Sequence, residues 1–259
     1  PAGDISRRSL MEATFFPIVR PEKMDSFLQD WAKWFVLEDN HEDSKIPGKL
    51  KSKFIKYSKI KLSNDFSGRE VAEIMLRDHG IENVKVHSVP GRLSDHYNPI
   101  NKTINLSPEV YNGRSVSSTA IAAHECGHAV QHAQGYAFLQ LRSALVPLQN
   151  VSSKVLQTIF MFMLLGAFGL PNILPMSSAI LIIVICYSAF TAFAFITLPV
   201  EFDASKRAVA WIVNRNIVNN EESIMAKDAL HWAAMTYVVV ALQSLVTLVY
   251  YLSIFFRRR

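Results

Sequence analysis

Hydrophobic and polar positions alternate along this chain on two scales, and each predicts different structure. The longer scale is a run from Val155 to Val200 without one Asp, Glu, Lys or Arg. A helix crosses a bilayer with roughly 20 apolar residues, so this run is too long for one crossing and suits two. PNILPMSS interrupts it, and Pro171 and Pro175 break a continuous helix there. The expected product is a hairpin, out over 155–170 and back over 178–198. Neither arm has a polar face, which separates them from the buried helices of a soluble core. A second uncharged run, Ala229 to Phe256, is closed by Arg257, Arg258 and Arg259. It predicts a third spanning helix, with Trp232, Tyr250 and Tyr251 toward its ends, where interfacial aromatics sit.

Before the hairpin the periods shorten. Ser67 is an N-cap candidate and Gly80 a stop, which predicts a helix over 68–79. ENVKVHSV and KTINLS alternate with the period of strands, and the turn-rich GRLSDHYNPIN lies between them. Ser115 is expected to cap a further helix that stops before Gly135. Phe27, Leu28, Trp31, Trp34 and Phe35 share one helical face, which suits an interfacial anchor and ordinary packing equally. Seven lysines between Lys45 and Lys61 follow; beside so much apolar sequence they are expected to lie near lipid headgroups. These patterns divide the chain into an N-terminal amphipathic and basic segment (1–62), a mixed segment (63–154), the hairpin (155–199), a polar helix (200–228) and the last span (229–259).

Composition agrees. Half of the 259 residues are hydrophobic and mean hydropathy is +0.16, high for a soluble protein. The net charge of +5 admits a nucleic-acid partner, but the long uncharged runs exclude a soluble nucleic-acid binder and favour an anionic membrane surface. The two cysteines, Cys126 and Cys186, form no disulfide framework and suit a reducing compartment. The first residue is Pro1 and no secretory signal pattern follows it, which reads as a processed chain or a fragment.

The candidate chemistry lies in IAAHECGHAVQH, residues 121–132. On a helix His124 and His128 stack one turn apart with Glu125 beside them. This is the H-E-x-x-H pattern, in which two imidazoles hold zinc and the glutamate is the general base. Catalytic zinc takes three protein ligands as a rule, and the next candidate is Glu201 in LPVEFDASKRA. A hairpin that crosses twice returns to the side it left, which brings Glu201 back to the histidine helix. Asp203, two residues on, is the rival and faces elsewhere. His132 is two turns from His124, too far to share one metal easily, and Cys126 is expected to be a small packing residue. His96, Tyr97 and His231 are weak candidates for stabilising an oxyanion. TINLS is a strand whose edge would accept a peptide by strand addition.

PGRLSDHYNP, INLSPEVYNGRS, AAHECGHAVQH and LPVEFDASKRA, in this order and with these apolar runs, resemble the YugP-like neutral zinc metallopeptidases of membranes over residues 50–259. The resemblance implies an α+β, mainly helical fold with a small sheet, interrupted by the transmembrane hairpin and followed by the last span. It implies a gluzincin-like site with His124, His128 and Glu201 on Zn2+ and Glu125 as catalytic base, acting on a peptide or protein substrate. Relatives start with a spanning helix before the lysine-rich segment, and residues 1–50 depart from that. Many gluzincins place an Asp four residues after the ligand glutamate to steer a histidine; that position is Ser205 here. The alternative reading is a non-catalytic membrane scaffold, or a subunit of a larger complex, that retains the zinc site. Basic residues flank the hairpin on the zinc side and are absent from its tip. By the positive-inside rule the zinc site then faces the cytoplasm of a bacterial membrane, or the matrix of an organellar (mitochondrial) inner membrane.

Overall fold

The computed structural model describes residues 46–91, 94–167 and 175–257. The expected anchor at Phe27–Phe35, the proline break at Pro171, and Arg258 and Arg259 lie outside the described residues. The chain divides into two compact units. The first takes residues up to Gly135 together with Glu201–Thr236, and the second takes Tyr136–Val200 together with Tyr237–Arg259.

The first unit opens with helix α1 (Ile46–Ser58) and helix α2 (Gly68–Asp78). Ser67 begins α2 with a capping box: the Glu70 carboxylate accepts the Ser67 amide at 2.7 Å, and the Ser67 hydroxyl accepts the Glu70 amide at 3.3 Å. Two of the helix's orphan donors are thereby satisfied. Gly80, at φ +66°, takes the left-handed conformation that ends it. A three-stranded sheet follows, built from β1 (Lys85–Ser88), β2 (His96–Asn98) and β3 (Thr103–Leu106) in the order β1-β3-β2. β1 runs parallel to β3, and β2 runs antiparallel to it with Tyr97 opposite Ile104.

Two sequence expectations change here. The turn-rich stretch holds a strand, β2, whose three residues are too few to show a period of two. It is set by its ends. The Asp95 carboxylate accepts the Ser107 amide at 2.8 Å, while Asn98 Oδ1 accepts the amides of Ile100 and Asn101 to turn the chain into β3. TINLS forms β3, which is paired on both sides, so it has no open edge; β2 pairs on one side only among the described residues.

After the short helix α3 (Pro108–Tyr111) comes α4 (Val116–Ala133), the helix of the two histidines. The Ser115 hydroxyl accepts the Ser118 amide at its start, and Gly135 has φ +65° beyond its end, as the sequence predicts. Residues are buried on every side of α4. It runs through the core between Val71 and Met75 of α2 and Ile104 and Leu106 of β3. Ile212 of helix α6 (Met176–Asn214) and Leu230 of helix α7 (Asn220–Arg257) belong to the same core. Alanines on α4 at 122, 123 and 129 keep its neighbours close. Asn219 and the buried Glu222 start α7 with a second reciprocal cap, and Glu222 Oε1 also accepts the amide and hydroxyl of Ser63.

The second unit contains α5 (Ala137–Ala167), whose Leu156 and Ile159 pack with Ala179, Ile183 and Cys186 of α6. Tyr251 of α7 stacks on Tyr187 with ring centroids 5.4 Å apart. Among the described residues two helices, α6 and α7, are long and apolar enough to cross a membrane by length and composition. They carry the expected return arm and last span. The described part of the expected outward arm, from Val155 to Ala167, is the end of α5, a helix of 31 residues. The polar segment after the return arm does not start a new helix, because α6 continues through Pro199 to Asn214.

Candidate metal centre

Two helices of the first unit supply the site. His124 and His128 are one turn apart on α4, with ring centroids 4.7 Å apart and planes at 83°. Glu201 stands on α6, on the inward face that also holds Ala204 and Ala208. Its Oε2 lies 3.3 Å from His124 Nε2 and 3.7 Å from His128 Nε2. One candidate ligand atom from each residue falls within 4.8 Å of the others. All three are buried: His124 is 4 % exposed, His128 8 % and Glu201 2 %.

What allows this approach is Gly127. A β-carbon built there would stand 2.6 Å from the Ala204 carbonyl oxygen and 3.1 Å from the Ala204 Cα. The two helix backbones therefore cross where α4 has no side chain, between its two histidines and three residues past Glu201.

The residues fit a zinc ion. A tetrahedral ion with bonds near 2.0–2.1 Å separates its ligand atoms by about 3.3–3.4 Å, which brackets the shorter of the two observed separations and approaches the longer. Glu201 Oε2 is buried and has no hydrogen bond. A buried carboxylate oxygen without a hydrogen bond is costly unless a cation or an ion pair compensates it. Two neutral imidazoles and one carboxylate are a donor set that borderline-soft zinc takes.

The surroundings hold each ligand in place. The Ser205 hydroxyl lies 3.1 Å from His124 Nδ1, so the serine at the steering position does meet a histidine. His128 Nδ1 is 3.0 Å from Gln131 Oε1, and Gln131 Nε2 donates to Asp203 at 2.8 Å. Asp203 also receives Arg207 Nε at 2.5 Å. The rival carboxylate is thus turned from the ligand atoms toward the residues behind His128. Gln131 is a residue that sequence reasoning misses, although its i+3 spacing from His128 on a helix is an available signal.

Glu125 is 3 % exposed, and its Oε2 accepts the Tyr97 amide of β2 at 3.1 Å. The hydroxyl of Tyr97 reaches His132 Nδ1 at 2.7 Å, which ties that exposed imidazole to the strand. Burial pushes the Tyr97 phenol above its usual range. His96 is held through its ring by the Ser94 carbonyl and the Asn105 amide, and His231 is exposed on α7. Cys126 points its thiol at the Ala72 carbonyl of α2, 3.6 Å away, and is fully buried, which agrees with a packing role. Burial holds that thiol well above its usual range, with the nearby Glu125 charge adding to the shift.

Residues 45–256 match the model of the family described as "Putative neutral zinc metallopeptidase". The chain belongs to this family. It is also 41 % identical over 212 residues to the "Putative membrane protease YugP" of Bacillus subtilis (strain 168), a match that covers 82 % of this chain and 90 % of that protein. No solved structure matches the chain. As a member of this family the chain is mainly helical with a small mixed sheet, and among its described residues it has two long apolar helices and a His-His-Glu group with the geometry to hold a metal ion.

Proposed function

We propose that this chain is a membrane-embedded, zinc-dependent endopeptidase in which His124, His128 and Glu201 hold the metal and Glu125 is the general base. The observation that carries this reading is the buried Glu201 oxygen, without a hydrogen bond and facing two imidazole Nε2 atoms, beside a second buried carboxylate on the same helix as the histidines. Zinc, when bound, supplies the Lewis acidity that polarises a peptide carbonyl and makes water nucleophilic near neutral pH.

The remaining steps belong to the chain's own residues. Glu125 takes the proton of the attacking water and passes it to the leaving amine. The Tyr97 amide fixes the orientation of the Glu125 carboxylate, so the base is aimed before substrate arrives. That amide belongs to β2, which therefore runs beside the base, and an extended peptide pairing with β2 would carry its scissile bond past Glu125. The apolar parts of α6 and α7 anchor the enzyme in the bilayer, a reading supported by the name of its Bacillus relative and by the length of both helices. The surplus of basic residues in the flanks favours a zinc site on the cytoplasmic or matrix side.

Metal analysis of purified protein tests the ligand set: one zinc per chain is expected, and His124→Ala should lose it. Glu125→Gln should keep the zinc and lose cleavage of a casein-type substrate. A wild-type protein that binds zinc and cleaves no peptide would support the scaffold reading instead.

A further inference from the structure

The two histidines are supported differently. Behind His124 stands a hydroxyl, Ser205 Oγ at 3.1 Å, which either donates or accepts and so does not select a tautomer. Behind His128 stands a chain of groups with a fixed direction. Arg207 can only donate, and its Nε points at Asp203 Oδ2 from 2.5 Å. The same carboxylate oxygen receives Gln131 at 2.8 Å, so the amide of Gln131 must present its NH2 group there. Its carbonyl oxygen is then the atom that faces His128 Nδ1 at 3.0 Å, and Nδ1 must carry the proton. The lone pair is left on Nε2, the nitrogen 3.7 Å from Glu201 Oε2. Gln131 is fully buried, and turning its amide over would set oxygen against carboxylate and NH2 against N–H.

We propose that Asp203 and Gln131 are positioning residues that fix the Nδ1–H tautomer of His128, with Arg207 holding the Asp203 oxygen that Gln131 meets. The relay also joins the two ligand-bearing helices, since Gln131 is on α4 and Asp203 and Arg207 are on α6. Arg207 extends it to Gln134 at the end of α4, 2.5 Å from its Nη1. Asp203 is therefore the carboxylate that prepares one zinc ligand without touching the metal.

Asp203→Leu supplies the test because it removes the oxygen that both donors share. Arg207 Nε and Gln131 Nε2 meet the same atom, Asp203 Oδ2, so without it the relay no longer holds the Gln131 amide one way round and His128 is released to both tautomers. Asp203→Asn is the conservative counterpart: its carbonyl oxygen, in the place of Oδ2, still accepts from both donors, so the direction survives the loss of charge.

The proposal rests on the zinc reading for its consequence but not for its first readout. Long-range 15N–1H spectra of the zinc-free, full chain in detergent, with 15N-labelled histidine, report the tautomer directly. Wild type and Asp203→Asn should show His128 protonated at Nδ1, and Asp203→Leu a mixture of tautomers. Zinc affinity, measured against a competing chelator, should fall about 10–100-fold in Asp203→Leu and stay within a few-fold of wild type in Asp203→Asn. Gln131→Met, which removes both relay bonds without changing charge, is the second variant should Asp203→Leu not fold; it should show mixed tautomers.

A single His128 tautomer in Asp203→Leu or in Gln131→Met overturns the relay. Mixed tautomers or lost zinc affinity in Asp203→Asn overturn the directional argument, since Asp203 would then act by its charge alone. A wild type that binds no zinc but shows the expected tautomers would sink the zinc reading and leave the relay standing.

Discussion

Replacing Gly127 by alanine tests whether the close crossing of α4 and α6 creates the site. The added β-carbon would stand 2.6 Å from the Ala204 carbonyl oxygen, and ordinary contact begins near 3.4 Å, so the helices must part by about 0.8 Å. The obstacle is backbone, which cannot rotate away. Glu201 is three residues from Ala204 on the same rigid helix and moves with it. Zinc–ligand distances tolerate only about 0.2 Å, so a retreat of about 0.8 Å is several times what the site absorbs. Zinc affinity should fall at least the roughly 10–100-fold seen when the supporting groups of metal ligands are removed.

Stability should change much less. Overpacking costs about 1–3 kcal/mol, and alanine in place of glycine within a helix returns up to ~1 kcal/mol. The assay is competition with a chromophoric chelator, run beside thermal unfolding of the zinc-free protein. Gly68→Ala is the control, because its β-carbon would press on the Val110 carbonyl of α3, away from any ligand. It should lower stability and leave the zinc affinity of the folded protein unchanged. A Gly127→Ala protein with wild-type zinc affinity would refute the reasoning, since the site would then not depend on the helix crossing.

Other consequences can be checked separately. Ser67→Ala removes the capping box of α2 and should cost about 1 kcal/mol in chemical denaturation. The Ser67 amide and hydroxyl hold the Glu70 carboxyl below its usual range, so this cap stabilises the fold above the unfolded carboxylate range and loses its effect as pH falls through the folded value; the variant should show a shallower acid loss of stability. Cys126→Ala should keep one zinc per chain, and the native Cys126 thiol should react with a thiol reagent only after unfolding, because it is fully buried. For orientation, a cysteine replacing exposed Ser177 should react with an impermeant maleimide applied from outside, and one replacing exposed Asn101 should not. Ser118 is unsuitable for this comparison, being 3 % exposed and shielded on either side of the membrane. Labelling at position 101 alone would invert the proposed topology.

The parts of this chain that are legible in the sequence are those governed by local rules. The capping box at Ser67, the cap at Ser115 and the left-handed glycines at 80 and 135 act within a few residues of themselves, and each is found where its rule puts it. Among the described residues, two helices are long and apolar enough to cross a membrane, and they carry the expected return arm and last span. Strand β2 is hidden because side chains at its ends, those of Asp95 and Asn98, establish it. The site divides the same way. His124, Glu125 and His128 announce themselves by helical spacing, whereas the meaning of Asp203 depends on a glutamine on another helix. By distance along the chain Asp203 competes with Glu201, and two residues of separation on α6 point it elsewhere. That different direction is what lets it reach Gln131 behind His128. One helical segment thus presents a candidate ligand with Glu201, an approach surface with Ala204, a partner for His124 with Ser205 and an acceptor for Gln131 with Asp203, which Arg207 also meets. Within EFDASKR, inward residues face different parts of α4, so a substitution there is expected to act on the proposed metal site even where it touches none of the three candidate ligands.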